Sequence, residues 1–152
     1  MSEAPREEEE PQPQWLSNFV DVYQRLGIDN LYLINDIYHP QVTFKDPMHL
    51  IVGLDELSNY FDNLYTNLIA CHFTINEVYH QGDRGFIYWQ MTFVHTKLNG
   101  AQPITVEGHT KLIADQDKVI YHQDYLDAGA MLYENIPLLG RIIQYIKRRA
   151  KG

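Results

Sequence analysis

The chain has 152 residues, a formal net charge of −8, 45 % apolar residues and a single cysteine. That length fits one compact core, and no run of 18 apolar residues offers a membrane-spanning helix. One cysteine, Cys71, excludes an intramolecular disulfide and a cysteine-based zinc site, and MSEAPREEEEPQPQ lacks the basic start and apolar stretch of a signal peptide, so a reducing cytoplasm is the expected location.

In chain order, residues 1–14 carry five Glu and one Arg and are expected to be a disordered acidic tail. The body, residues 15–137, holds six Lys/Arg against 15 Asp/Glu, a net of −9. An acidic body argues against nucleic acid as a partner, because wrapping phosphates needs many cations. Trp15, Leu16, Phe19, Val20, Tyr23 and Leu26 form a helical stripe that Gly27 stops. Asp29 is expected to cap a second helix, with Leu31, Leu33, Ile34 and Ile37 apolar, running to about Tyr38 and ended by Pro40. A short strand, Val42-Thr43-Phe44-Lys45, then runs into Asp46-Pro47 and a loop. Gly53-Leu54-Asp55 opens a third helix over residues 55–67, with Leu57, Tyr60, Phe61, Leu64 and Leu68 on one face.

From there the period changes to two. Residues 73–80, 85–98, 104–114 and 119–126 are rich in β-branched and aromatic residues and read as strands. Gly82-Asp83, Asn99-Gly100 and Asp115-Gln116-Asp117 are the turns between them. Neighbouring strands with short turns make an antiparallel meander, so helices followed by a sheet give an α+β layer arrangement. The last segment, 138–152, reads as a basic amphipathic helix. Leu138, Leu139, Ile142, Ile143 and Ile146 share a face, beside Arg141, Lys147, Arg148, Arg149 and Lys151. That stripe is expected to pack on the domain or a partner subunit, in preference to an anionic lipid surface.

The order strand, Asp46-Pro47, loop, Gly53, then a helix carrying Tyr60-Phe61 resembles the nuclear-transport-factor-2-like superfamily. Within it, the chain looks closest to the branch of SnoaL-like polyketide cyclases and ketosteroid isomerases. The resemblance covers roughly residues 15–127. It implies a cone: N-terminal helices packed on a strongly curved antiparallel sheet, with a pocket at the open mouth. It also implies a homodimer through the outer sheet face, where residues such as Phe86 or Ile87 would form an apolar patch.

Four residues are the catalytic candidates. Asp46 occupies the position of the isomerase general base; alternatively it caps the Pro47-Met48 turn through backbone N–H groups. Tyr23, on the first helix, matches the tyrosine that donates to a developing oxyanion; alternatively it is a core tyrosine with its hydroxyl at the rim. His109 falls where the isomerases place a protonated acid, and it could donate the same hydrogen bond or act as the base. Alternation puts it on one face with Thr105, Glu107 and Lys111, which is either a pocket wall or the solvent side. Asp124 would face inward with His122 and Leu126 and orient His109, or else tie the last strand to its neighbour.

Trp89, Glu107, His122, His49 and Leu126 are the expected ligand contacts. No convincing spacing of metal ligands and no phosphate loop is present, so no cofactor is implied. The heavy aromatic content favours a small hydrophobic molecule as ligand. The expected function is cofactor-free acid–base isomerisation, cyclisation or dehydration; the alternative is a non-catalytic binding or interaction module of the same fold.

Overall fold

The computed structural model describes residues 9–127, 129 and 137–151, with residues 137–143 described by backbone alone. Helix α1 spans Gln14–Arg25. A 3₁₀ helix, Leu31–Asp36, leads into strand β1, Tyr38–Lys45, and strand β2, Leu50–Val52. Helix α2 is Leu54–Tyr65. Four long strands follow: β3, Leu68–Gln81; β4, Arg84–His95; β5, Ile104–Asp115; and β6, Lys118–Leu126. Helix α3 is Pro137–Ala150. The strands form one six-stranded sheet in the order β2-β1-β6-β5-β4-β3. It is curved and unclosed, and helices cover its inner face, as an α+β cone requires. All neighbours run antiparallel except β1 and β6, which are parallel.

Amphipathic patterning fixes how α1 docks. Trp15, Leu16, Phe19, Val22 and Tyr23 are buried, and each such side chain contributes about 1.5–3 kcal/mol relative to exposure. The helix approaches the sheet closely at Gly85, where a Cβ would come within 2.9 Å of both Leu16 and Trp15. A second close approach sits at Gly108 of β5, paired in register with Trp89 of β4. A Cβ there would lie 2.5 Å from the Trp89 ring and 2.8 Å from the Tyr125 carbonyl oxygen. The glycine therefore lets the indole lie flat across its neighbouring strand.

The expected second helix shrinks to the 3₁₀ helix. Asp29 does not cap it; the flanking residue is Asn30, whose amide is already engaged. Asn30 Oδ1 accepts from Gly27 N–H at 2.6 Å, and its Nδ2 donates to the Arg25 carbonyl at 2.7 Å. That clamp holds the turn between α1 and the 3₁₀ helix. Tyr38 and Pro40, placed at a helix end by the sequence reading, instead open β1. Pro40 is tolerated because the β1–β6 register shifts between Tyr38 and Thr43, so the ladder does not need its missing N–H. Strand β3 begins five residues earlier than the expected Phe73, and β2 was read as loop.

The core falls into two clusters. The larger joins α1, α2 and most of the sheet around Phe19, Leu57, Ile87 and Leu112. The smaller is Phe93, Leu98, Ile104 and Val106. Leu68, Cys71, Met91 and Leu126 border both and are only partly buried. The core is therefore incomplete between the clusters, and that gap is where the cavity lies. Ile87 is buried on the inner face and takes no part in an outer patch. In α3, Tyr145 and Ile146 are exposed; the expected stripe positions Leu138, Leu139, Ile142 and Ile143 lie outside the described side chains. No described helix is long and apolar enough to cross a membrane.

Candidate functional site

A cavity of about 150 Å³ opens between α1, α2 and the inner face of the sheet. Tyr23 reaches it from α1, and Phe44 and Asp46 from the end of β1. Helix α2 supplies Tyr60, Phe61, Leu64 and Tyr65. The sheet supplies Phe73, Trp89, Met91, Phe93 and His95 on one side, with Asp124 and Leu126 on the other. Three of the four catalytic candidates, Asp46, Asp124 and Tyr23, therefore share this wall, as do the ligand candidates Trp89 and Leu126.

His109 does not. It is exposed on the outer face, stacked between Tyr88 and Tyr125 at centroid distances of 5.4 and 4.8 Å. Glu107, two residues away, is exposed on the same outer face. The pleat decides this: Ile104, Val106, Leu112 and Ala114 are the buried set of β5, so the inward polar residue is Thr110. Of the two readings left open by alternation, the solvent side is the one observed.

His122 is buried, 1 % exposed, directly behind the cavity wall. It takes the partnership expected of His109. Its Nε2 lies 2.6 Å from Asp124 Oδ1. Because a carboxylate only accepts, Nε2 carries the proton. Nδ1 lies 2.9 Å from the Tyr38 hydroxyl, which in turn lies 2.5 Å from the Tyr23 hydroxyl. On the other side, Thr110 Oγ1 donates to Asp124 Oδ1 at 2.6 Å, and Trp89 Nε1–H donates to Thr110 Oγ1 at 2.8 Å. One continuous chain thus runs Tyr23, Tyr38, His122, Asp124, Thr110, Trp89. Burial pushes the Tyr23 and Tyr38 phenols well above their usual range, reinforced at both by the Asp124 charge, so both remain protonated.

This chain fixes Asp124 asymmetrically. Both donors meet Oδ1, and Oδ2 has no hydrogen-bond partner among the described residues. The carboxylate belongs to the cavity wall and is held from behind. Such an arrangement fixes the direction of the carboxylate and leaves one oxygen without a protein donor among the described residues.

Asp46 is bound differently. Its Oδ1 accepts from the Met48 and His49 backbone N–H groups at 2.8 and 2.7 Å, so it does cap the turn. Oδ2 accepts from the Tyr60 hydroxyl at 2.6 Å, and the His49 ring nitrogen lies 3.0 Å from Oδ1. Burial alone would raise this carboxyl, but the hydrogen bonds from Tyr60, Met48 and His49 outweigh it and hold the group below its usual value. A carboxyl held low is a weaker base than the general-base role expected of Asp46 calls for. His49 is exposed and tied to Asp46, and it is absent from the cavity wall. Cys71 lines the cavity as a thiol raised by burial, near the Tyr65 hydroxyl at 3.6 Å. Among the described residues no group of three or more His, Cys, Asp or Glu is arranged to hold a metal ion.

Sequence reasoning missed Tyr38, Tyr60 and Thr110. The signal for Thr110 was present: alternation with Ile104, Val106 and Leu112 puts it on the apolar face. Tyr60 was counted as part of an apolar stripe, and its hydroxyl gave no sign of its partner.

The SnoaL-like domain pattern matches residues 18–124, most of the folded body and all of the chain of groups just described. The protein belongs to the SnoaL-like family. Solved structures agree on the fold of this SnoaL-like chain. One is a protein of ketosteroid-isomerase-like fold from Catenulispora acidiphila, in complex with trimethylamine: TM-score 0.69, 16 % identity, covering 82 % of this chain and 94 % of that one. TerC, co-crystallised with polyporic acid, aligns with TM-score 0.66 at 14 % identity, covering 77 % and 94 %. An LEH-like epoxide hydrolase from M. tuberculosis aligns with TM-score 0.62 at 10 % identity, covering 77 % and 79 %. These identities establish shared architecture alone. No curated protein matches the sequence.

The Tyr60–Asp46 bond gives a direct test. Because the folded state holds the Asp46 carboxyl below its unfolded value, the bond stabilises the fold above about pH 4 and is lost as pH falls through the lower folded value. Tyr60→Phe is expected to cost about 1–3 kcal/mol near neutral pH. By carboxyl-carbon NMR titration, Tyr60→Phe should also move the Asp46 midpoint upward. An unmoved midpoint would show that the turn amides alone depress it.

Proposed function

We propose that this SnoaL-like protein binds a small hydrophobic molecule in the cone cavity and exchanges a proton with it through Asp124. The supporting observation is the asymmetry of that carboxylate. One oxygen accepts from both His122 and Thr110, the other has no protein partner among the described residues, and the residue lines an apolar, aromatic cavity. A general base needs a fixed direction and an accessible lone pair. Asp124 has these, with His122 as the group that positions it. Asp46, already committed to four donors and held low, serves the architecture of the mouth. Tyr23 sits on the same wall, with its hydroxyl proton committed to Tyr38, so toward a ligand its oxygen can only accept. Neighbours of the same fold that bind small molecules, trimethylamine in one case and polyporic acid in another, are compatible with this use of the cavity. A cytoplasmic setting, with Cys71 a free thiol, completes the reading.

The experiment is proton–deuteron exchange in heavy water, followed by NMR, on a panel of aryl and cyclic ketones with acidic α-hydrogens. The wild-type protein should accelerate exchange for at least one member. Asp124→Asn should lower that rate about 10²–10⁴-fold, and Asp46→Asn should lower it far less. Loss confined to Asp46→Asn would overturn the assignment. No acceleration across the panel, with ligands still bound, would favour the non-catalytic module.

The proposal includes a homodimer through the outer sheet face. Tyr79, Tyr88 and Tyr125 are exposed there, and with His109 they form a continuous row of ring contacts across four strands. A row of this size on one face is an apolar surface suited to a second copy. Light scattering at micromolar concentration should give twice the chain mass for the wild type and the single mass for Tyr88→Lys. A monomeric wild type would rule the dimer out.

A further inference from the structure

Among the described residues, the charge lining the cavity has one sign. Among the described residues its wall carries two carboxylates, Asp46 and Asp124, and no Lys or Arg. Among the described residues His95 is its one imidazole, and its Nδ1 already accepts from the Lys97 backbone N–H at 3.0 Å. Asp46 is answered within the protein by the Tyr60 hydroxyl, two backbone N–H groups and the His49 ring. Asp124 is not answered in the same way. Its two donors hold a single oxygen, and no Lys or Arg pairs with it among the described residues. The remaining wall is mainly ring faces and alkyl groups, among them Tyr23, Tyr65, Phe73 and Trp89.

These features select against an anion. A carboxylate in low-dielectric surroundings repels negative charge strongly and attracts positive charge equally strongly. Aromatic faces add to the attraction, because their quadrupoles are negative above the ring. The net charge of −8 acts in the same direction at longer range. A purely neutral ligand would fill the apolar volume but leave Asp124 Oδ2 without its best partner.

We propose that the ligand is a small hydrophobic organic cation, an amine carried as its ammonium, seated among the cavity rings with Asp124 as its counter-ion. The inference rests on the reading of this cavity as the ligand site. It adds the charge of the ligand, which the ketone exchange experiment does not measure.

The test compares two probes of the same shape, phenyltrimethylammonium and tert-butylbenzene, which differ by a cationic nitrogen in place of carbon. Binding to the full chain is followed by calorimetry at neutral pH and low salt. Phenyltrimethylammonium is expected to bind about tenfold or more tightly than tert-butylbenzene. In Asp124→Asn that preference should collapse to about threefold or less, mainly through weaker binding of the cation. Asp124→Glu keeps the charge and should retain the preference. If Asp124→Asn does not fold, the wild-type comparison and Asp124→Glu decide the matter. Equal or tighter binding of the hydrocarbon overturns the ammonium proposal and leaves the apolar cavity reading intact. Binding of neither probe overturns both. A preference that survives undiminished in folded Asp124→Asn overturns Asp124 as the counter-ion.

Discussion

The imidazole of His122 is the group on which the rest of the site depends. It is buried against the rings of Phe19, Tyr23, Tyr38 and Phe44. Through its two nitrogens it connects Tyr38 of β1 with Asp124 of β6, and each continues to further partners. The chain of groups spans α1, β1, β6, β5 and β4. A polar chain of this kind is tolerable in a core only when every member is satisfied. Among the described residues no buried side-chain nitrogen or oxygen lacks a partner. Packing and polarity thus cooperate. The chain can be satisfied only when the helix and four strands sit in this arrangement, and in that arrangement Asp124 is held at the cavity wall.

The two cavity carboxylates illustrate how environment divides one chemical type into two roles. Asp46 sits at the end of a strand where the chain must turn, and backbone N–H groups are available at once. Local geometry claims its lone pairs before any ligand arrives. Asp124 sits in mid-strand, where backbone groups are spent in the β5–β6 ladder and cannot reach it. Only side chains on the same face can do so, and those present reach one oxygen. The accessible oxygen is therefore a consequence of strand geometry, and the incomplete core between the two apolar clusters gives it a cavity to face.

The cone was legible because its signals are local and repeated. The α1 stripe, the Asp46-Pro47 turn and the period-two strands each carry many residues, so an error at one position changes little. The site was less legible because a strand has two faces and one residue of displacement exchanges them. Placing His109 inward by family position, against the burial demanded by Ile104, Val106 and Leu112, sent the histidine partnership to the wrong strand. On β6 Asp124 and Leu126 line the cavity while His122 is buried beside it, and the partner of Asp124 lies two residues away on its own strand. The 3₁₀ helix and the early start of β1 were hidden because Leu31, Ile34 and Ile37 fit a helical stripe equally well, and the Asn30 clamp is visible only in three dimensions.

The central claim is that His122 holds Asp124 from behind by donating from Nε2 while Nδ1 faces Tyr38. Long-range ¹H–¹⁵N correlation NMR of the histidine rings reads this directly. The arrangement predicts, for the wild-type protein, a His122 ring with a protonated Nε2 in a strong hydrogen bond. In Asp124→Asn the Nε2 proton should lose the downfield shift that a carboxylate partner confers. A His122 ring protonated on Nδ1 alone, with a bare Nε2, would contradict the account, because Asp124 would then have no buried group to fix its direction.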